Sequence, residues 1–176
     1  MKKINSVIMT ISDSVFCGHR KDDGGFYLKE LLEERGFSVI DKVLLPDNLR
    51  AIEESLIEYS NRKDINLIIT IGGTGFSPQD VTPDATLEVV DEQINNIEEG
   101  IRDHHISFFK RHLSRSVAGI RNKTLIVNFP SSRTSIKETI DRIEDTIIED
   151  LEKYGKIVSF PEKLMIKKNI SRFNEN

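Results

Sequence analysis

The sequence is poor in features that define several protein classes. Cys17 is its one cysteine, and a single thiol excludes an internal disulfide and a cysteine-rich zinc site. Its apolar runs, such as Leu67–Ile71, are far shorter than the roughly 20 residues that a membrane-spanning helix needs. The first residues lead into a strand-like run and not into a secretory signal. We therefore expect a cytoplasmic protein with no membrane segment.

An excess of charge of either sign is also missing. The chain has 25 Lys and Arg residues against 29 Asp and Glu residues, which gives a formal net charge of −4. This mild acidity argues against broad nucleic-acid binding. Hydrophobic residues make up 38% of the 176 residues, which is too many for a disordered chain and enough for one domain with a buried core.

Short apolar runs alternate with segments of helical periodicity. Strands are predicted over residues 6–12, 37–45, 65–71 and 125–129. Helices are predicted around residues 28–36 and 52–59, and a long final helix over residues 136–151 would begin with the capping pair Ser135 and Glu138. This alternation is typical of βαβ units. It predicts an α/β fold, a single three-layer domain with a mainly parallel sheet over residues 1–155, followed by a tail or arm over residues 156–176.

The segments that follow the four predicted strands are polar, small or acidic. They are residues 12–14, 46–48, 72–75 and 128–132. Ligands of open parallel sheets bind at the carboxyl ends of the strands. We therefore expect these four segments to form one shared site.

The third of these segments, Gly72-Gly73-Thr74-Gly75, is the most informative. Glycines expose backbone N–H groups, so the loop suits phosphate or another anion. It is not a P-loop, because no Gly-Lys-Ser/Thr follows, and Pro78 occupies the third glycine position of a dinucleotide fingerprint. The alternative interpretation is a tight turn that needs positive φ.

Two carboxylates lie near this loop in the sequence. Thr82 suits a helix N-cap and Pro83 the first helical position, but Asp80 precedes the cap and has only an Asx-turn as a structural explanation. Asp47 either caps the next helix or has a functional role. Two carboxylates ~5 Å from a phosphate at an effective dielectric of ~20 are each repelled by about 3 kcal/mol. A cation such as Mg²⁺ between them, or a hydrogen-bond donor facing them, would relieve this repulsion.

Basic side chains that could bind phosphate are Arg20, Lys21, Arg102, Arg115 and Arg133, with an ordinary solvated surface charge as the alternative for each. His104 and His105 are neighbours that would point apart on a helix, and His112 is distant. With no cysteine near them, they do not favour a zinc site. No Gly-x-Ser-x-Gly elbow supports nucleophilic catalysis.

The glycine loop together with Asp80-Val81-Thr82-Pro83 resembles the signature of the MoaB/Mog family of molybdopterin-binding proteins, which includes the molybdopterin adenylyltransferases. Further matches cover residues 10–14, 45–47, 113–121 and 124–130, and the pair Glu99 and Arg102. The resemblance extends over about residues 4–150.

This resemblance implies a Rossmann-like molybdopterin-binding fold, a homotrimer or hexamer, and transfer of an adenylyl group from Mg-ATP to molybdopterin. The products would be pyrophosphate and adenylylated molybdopterin, which a metal-insertion enzyme downstream would accept. The family's two functional aspartates correspond to Asp47 and Asp80, as catalytic residues and ligands of Mg²⁺. Substrate-binding and nucleotide-binding positions would be Ser12, Asp13, Ser14, Gly72, Gly73, Thr74, Gly75, Glu99, Ser114, Arg115, Asn128, Pro130 and Ser131.

The chain departs from the family pattern in the loop after the fourth strand. Ser131 stands where the family has glycine, and Arg133 replaces a later proline. The second hypothesis is therefore a non-catalytic molybdopterin carrier or scaffold of the same family. A third is another nucleotide or sugar-phosphate enzyme on a similar sheet. Retention of both aspartates favours the adenylyltransferase, whereas Ser131 favours the carrier.

Overall fold

A computed structural model of the chain describes residues 4–103 and 115–153. It contains one six-stranded sheet in the order β2-β1-β3-β6-β5-β4. The strands are β1 (Asn5–Ile11), β2 (Ser38–Leu45), β3 (Leu67–Ile71), β4 (Glu92–Gln93), β5 (Ala118–Arg121) and β6 (Thr124–Phe129). Strands β2, β1, β3 and β6 are parallel, whereas β5 is antiparallel to both β6 and β4.

The helices lie on both faces of this sheet. They are α1 (Asp13–Phe16), α2 (Asp23–Glu34), α3 (Leu49–Ser60), α4 (Thr82–Val89), α5 (Asn95–Asp103) and α6 (Arg133–Lys153). Helices α2, α5 and α6 pack on one face in a core cluster that includes Leu28, Ile101 and Ile140. Helices α3 and α4 pack on the other face with Leu56 and Ala85. Within the described ranges no helix is long and apolar enough to cross a membrane.

The predicted α/β fold with three layers is confirmed. Strands β3 and β6 are buried at every position, as continuous apolar runs require when helices cover both faces. The prediction missed β4 and β5, which complete the sheet on the β6 side. Residues 156–176, which we predicted to be a tail or arm, lie outside the described residues.

Two predicted helix caps are wrong. Helix α4 has Val81 at its N-cap, and Thr82 is the first helical residue. The N–H of Thr82 donates to the carbonyl of Gly73 in the glycine loop, 3.1 Å away. Helix α6 begins at Arg133, so Ser135 lies inside its first turn. There Ser132 Oγ accepts from the N–H of Ser135 at 3.1 Å. A hydroxyl that accepts from the N–H three residues later is the N-cap arrangement, so the cap lies three residues before the predicted one.

Candidate active site at the carboxyl edge of the sheet

The four predicted segments meet at one edge of the sheet. Strands β2, β1, β3 and β6 are parallel neighbours in that order, and neighbouring strands lie about 4.8 Å apart. The segment after β1, with Ser12 at the N-cap of α1 and Ser14 in that helix, therefore lies between the loop of Asp47 and the glycine loop. The Oγ atoms of Ser12 and Ser14 are 3.1 Å apart.

The glycine loop after β3 adopts a conformation that side chains would strain. Gly72 and Gly73 have φ values of +97° and +62°. A Cβ on Gly72 would lie 2.4 Å from the carbonyl oxygen of Ile11, and one on Gly73 would lie 2.3 Å from Thr82 Oγ1. The positive φ values show that the tight turn is present. The sequence leaves this turn and the anion-binding loop as alternatives, and a turn of this kind does not exclude an anion-binding role.

The carbonyls of this loop accept hydrogen bonds from the protein, whereas two of its N–H groups do not donate one to any residue that the structure describes. The carbonyls of Gly73, Thr74 and Gly75 accept from Thr82 N, Arg115 N and Arg115 Nε at 3.0 to 3.1 Å. Among the described residues, the N–H groups of Gly73 and Thr74 have no acceptor. A loop whose carbonyls are bound by the protein and whose N–H groups are free is suited to an anion.

Asp47 and Asp13 hold each other in place across the gap between β2 and β1. The N–H of Asp13 donates to Asp47 Oδ2, and the N–H of Asp47 donates to Asp13 Oδ1, both at 2.9 Å. Each carboxylate thus keeps one oxygen without a partner among the described residues. The structure therefore brings Asp13 to the predicted catalytic Asp47 as an immediate neighbour.

Asp80 is fixed on the other side of the glycine loop. Its Oδ2 accepts from the N–H of Ser77 at 2.9 Å. Burial alone would raise the pKa of Asp80, but hydrogen bonds from Ser77 and Gly75 and the charge of Arg115 outweigh it, so the pKa lies below its usual 3.8. Asp80 is therefore a carboxylate at any pH near neutrality.

Arg115 braces the loop that carries Asp80. Its guanidinium donates to the carbonyls of Gly75 and Asp80, and both terminal nitrogens donate to the carboxylate of Asp84 at 3.1 Å. Four of the five N–H donors of an arginine side chain are used in this way. A direct contact of Arg115 with phosphate stays a prediction, whereas its bracing contacts are observed.

Other predicted site residues are placed differently. Asn128 is fully buried in β6, where its Nδ2 donates to Thr70 and Thr86 and its Oδ1 accepts from Val117 N, so its side chain is engaged within the fold. Pro130 and Ser131 follow β6 at the shared edge. Glu99 is an exposed residue of α5. Ser114 lies outside the described residues.

A cavity of about 410 Å³ opens beside β1 at the same edge. Its walls come from the end of β1, the loop after β6 and the starts of α2 and α6. The lining residues are Thr10, Ile11, Ser12, Val15, Arg20, Lys21, Asp22, Asp23, Gly24, Ile71, Ser131, Ser132 and Arg133. The sequence prediction missed Thr10 and residues 22–24 as lining residues, because a strand interior and a helix start carry no local signal for a cavity wall.

The donor set fits a cation that arrives with a phosphate and does not fit a closed metal cage. In the parts of the chain that the structure describes, no three His, Cys, Asp or Glu side chains come together to hold a metal. Mg²⁺ in phosphate-transfer sites is held by one or two carboxylates together with substrate phosphates. Asp47, with one free carboxylate oxygen, and Asp80, which is anionic, are the residues that would hold such a cation.

Comparison with known proteins agrees with the fold. Residues 7–150 match the family model described as a probable molybdopterin binding domain. The chain is 35% identical over 148 residues to the molybdopterin adenylyltransferase of Escherichia coli K12, an alignment that covers 82% of this chain and 76% of that protein.

A larger protein and a solved structure match as well. The molybdenum cofactor synthesis protein cinnamon of Drosophila melanogaster is 32% identical over 166 residues, but the alignment that covers 93% of this chain spans only 28% of that relative. The crystal structure of the molybdopterin biosynthesis enzyme MoaB from Thermus thermophilus superposes with a TM-score of 0.80 at 33% identity, covering 86% of this chain and 96% of that one. The chain belongs to the MoaB/Mog family of molybdopterin-binding domains.

Proposed function

We propose that this protein is a molybdopterin adenylyltransferase, which transfers the adenylyl group of ATP to the terminal phosphate of molybdopterin in molybdenum cofactor biosynthesis. One observation carries the proposal: the free N–H groups of Gly73 and Thr74, in a loop whose carbonyls are bound by the protein. Fixed backbone donors stabilise the oxygens of a transferring phosphate without reorganisation. The reaction class is supported by the name of the E. coli relative.

In the proposed reaction, an oxygen of the molybdopterin phosphate forms a bond to the α-phosphorus of ATP. The bond between that phosphorus and the bridging oxygen of the β-phosphate breaks, and pyrophosphate leaves with the electron pair. The attacking oxygen is already anionic, so no side chain has to remove a proton. The task of the protein is to align two anionic substrates and to offset their repulsion.

Each carboxylate of the edge has a role in this proposal. Asp47 and Asp80 would hold the Mg²⁺ that enters with ATP, and that cation would screen the phosphate charges. Asp13 keeps Asp47 in place through their two reciprocal hydrogen bonds. Arg115 keeps the Asp80 loop in place through its bonds to Gly75 and Asp80.

The test is incubation of the full chain with molybdopterin and Mg-ATP, with pyrophosphate and adenylylated molybdopterin as the two products measured. Wild type should release both in equal amounts, and EDTA should stop the reaction. Asp64→Asn is the matched control, because Asp64 pairs with Arg62 just before β3, at the opposite end of that strand. Absence of both products at saturating substrates would contradict the proposal.

A carrier that binds molybdopterin without transferring the adenylyl group is the second candidate. Ser131, which stands where the family pattern has glycine, is the observation that favours it. The same incubation decides between the two, since a carrier binds molybdopterin and releases no pyrophosphate.

The proposal extends to assembly and location. We propose a homotrimer, with a hexamer as the alternative, acting in the cytoplasm and handing its product to a metal-insertion enzyme. β2 is an edge strand whose Ile40 and Leu44 are exposed, which is consistent with a further contact along that edge. Light scattering that finds only monomers across micromolar concentrations would contradict the trimer.

A further inference from the structure

The cavity beside β1 carries more positive charge than the rest of the edge. Arg20, Lys21 and Arg133 line it. Of the two acids in its wall, Asp22 is paired with Lys42 and also accepts from the N–H of Gly25. Asp23 is the first residue of α2. Three basic side chains therefore face one acid that lacks a basic partner among the described residues.

Arg133 stacks on an aromatic ring, and its guanidinium makes no hydrogen bond among the described residues. Its guanidinium carbon lies 4.5 Å from the centroid of the Tyr27 ring, and Tyr27 packs against the core cluster under α2. In the described ranges no carboxylate pairs with Arg133. An arginine stacked on an aromatic ring keeps its in-plane N–H groups available for a phosphate.

Two further features of the cavity suit an anion whose oxygens accept hydrogen bonds. Thr10 is only 6% exposed, and its Oγ1 has no hydrogen-bond partner among the described residues although it is buried. Buried hydroxyls almost always have a partner, so this one is available to a ligand atom. The helices α2 and α6, of 12 and 21 residues, both begin at the cavity wall, and the N-terminus of a helix favours negative charge.

We infer that this cavity binds a diphosphate group, and that Arg133 is the residue of this chain that determines its affinity. Three cations and two helix N-termini suit a diphosphate better than a single phosphate. The source of the group rests on the proposed function: it is the pyrophosphate end of ATP, which becomes the leaving group. The binding itself does not depend on that function.

Inorganic pyrophosphate is the probe, titrated calorimetrically into the full chain without ATP or molybdopterin. Arg133→Gln should raise the dissociation constant about tenfold, because a hydrogen-bonded charge is lost. Thr10→Val, which keeps the shape and removes the hydroxyl, should raise it several-fold. Arg50→Gln, an exposed position on α3 over the opposite face, should leave it unchanged. Equal dissociation constants for wild type and Arg133→Gln would overturn the inference.

Tyr27→Leu tests whether the position of Arg133 matters apart from its charge. The variant keeps Arg133 and an apolar contact but removes the ring on which Arg133 stacks. It should weaken pyrophosphate binding less than Arg133→Gln does, with unchanged circular dichroism. In turnover assays, Arg133→Gln should raise the KM for ATP and leave the KM for molybdopterin unchanged. A change confined to the KM for molybdopterin would refute the assignment to the nucleotide. If wild type shows no transferase activity but binds pyrophosphate, and Arg133→Gln loses that binding, the result would support this site and contradict the proposed function.

Discussion

Replacing Gly72 by alanine should destabilise the protein far more than the same change at Gly18. Both glycines have left-handed backbone angles, with φ of +97° and +75°. A Cβ at Gly18 would have no heavy atom within 4 Å, whereas one at Gly72 would lie 2.4 Å from the carbonyl oxygen of Ile11. The pair therefore separates the cost of the backbone angle from the cost of the contact.

The magnitudes follow from these two terms. A left-handed angle costs a residue with a Cβ about 1–2 kcal/mol, and part of that is offset because alanine restricts the unfolded chain by about 0.4–1 kcal/mol. Gly18→Ala should therefore cost about 1 kcal/mol. Gly72→Ala adds a clash with β1, a strand held on both sides by β2 and β3, and overpacking of that kind costs typically ~1–3 kcal/mol more.

Thermal unfolding followed by circular dichroism measures the difference. In a domain of this size 1 kcal/mol corresponds to about 2–4 °C in Tm. We expect Gly18→Ala to lower Tm by roughly 3 °C and Gly72→Ala by roughly 10 °C. Equal losses for the two variants would refute the claim that the contact with Ile11 makes Gly72 irreplaceable.

Four further variants test the carboxylates and the arginine that braces the Asp80 loop. Asp47→Asn and Asp80→Asn should both fold, and each should lower the rate of adenylyl transfer at least tenfold, which is a loss of about 1.4 kcal/mol of transition-state stabilisation. Unchanged turnover in both variants would contradict the assignment of these aspartates to a metal site. Because the pKa of folded Asp80 is lowered, its ionised form stabilises the protein above pH 3.8. In urea titrations, the difference in unfolding free energy between wild type and Asp80→Asn should therefore shrink as the pH falls below that value. Gly75→Ala, whose Cβ would lie 2.7 Å from Asp80 Oδ2, should match the kinetic loss of Asp80→Asn at nearly unchanged Tm. Arg115→Lys keeps the positive charge, but a lysine cannot donate to Gly75, Asp80 and Asp84 together, so kcat should fall while the circular dichroism spectrum stays the same. A kcat equal to that of wild type would show that the guanidinium contacts are dispensable.

The four parallel strands are predictable from the sequence because each is an apolar run buried by helices on both faces. The predicted end of β3 at Ile71 and that of β6 at Phe129 coincide with the structure. This places the site correctly, since the loops at the carboxyl edge follow from the strand ends alone.

Strands β4 and β5 are not predictable in this way, because their pairing depends on contacts distant in sequence. Gly119 lies in β5, where a Cβ would meet Val90 at 2.7 Å and the carbonyl of Glu92 at 2.8 Å. Glycine is a poor strand former by local propensity. Its presence there reflects the close approach of another segment, which periodicity does not record.

Side-chain partners within the site are the least predictable part. Arg115 and Arg133 are both basic residues near the site in sequence. Arg115 donates four hydrogen bonds to three residues of the protein, whereas Arg133 is stacked on Tyr27. The same limit applies to Thr82, which has an N-cap sequence but is the first residue of α4, with its N–H bound by Gly73. Tertiary contacts decide in each case whether a polar group remains available to a ligand.

Ser131 allows a final test of whether the loop after β6 is adapted or impaired. The sequence predicts that a serine in place of glycine either takes a strained angle or keeps an ordinary one with its hydroxyl toward the ligand. Among the described residues, only Asn122 and Lys123 are non-glycine residues with positive φ, so the ordinary angle is confirmed. Ser131 is exposed and lines the cavity beside β1.

Because the backbone of Ser131 is unstrained, Ser131→Gly should relieve nothing and should remove one hydrogen-bonding group. We expect substrate binding to weaken by about 1 kcal/mol, roughly fivefold in dissociation constant, with Tm changed by no more than a few degrees. Titrations with ATP and with molybdopterin, paired with turnover, measure this. An impaired carrier would behave in the opposite way, since restoring the family's glycine would let the loop approach the substrate. Tighter binding together with faster pyrophosphate release would therefore show that Ser131 impairs the loop.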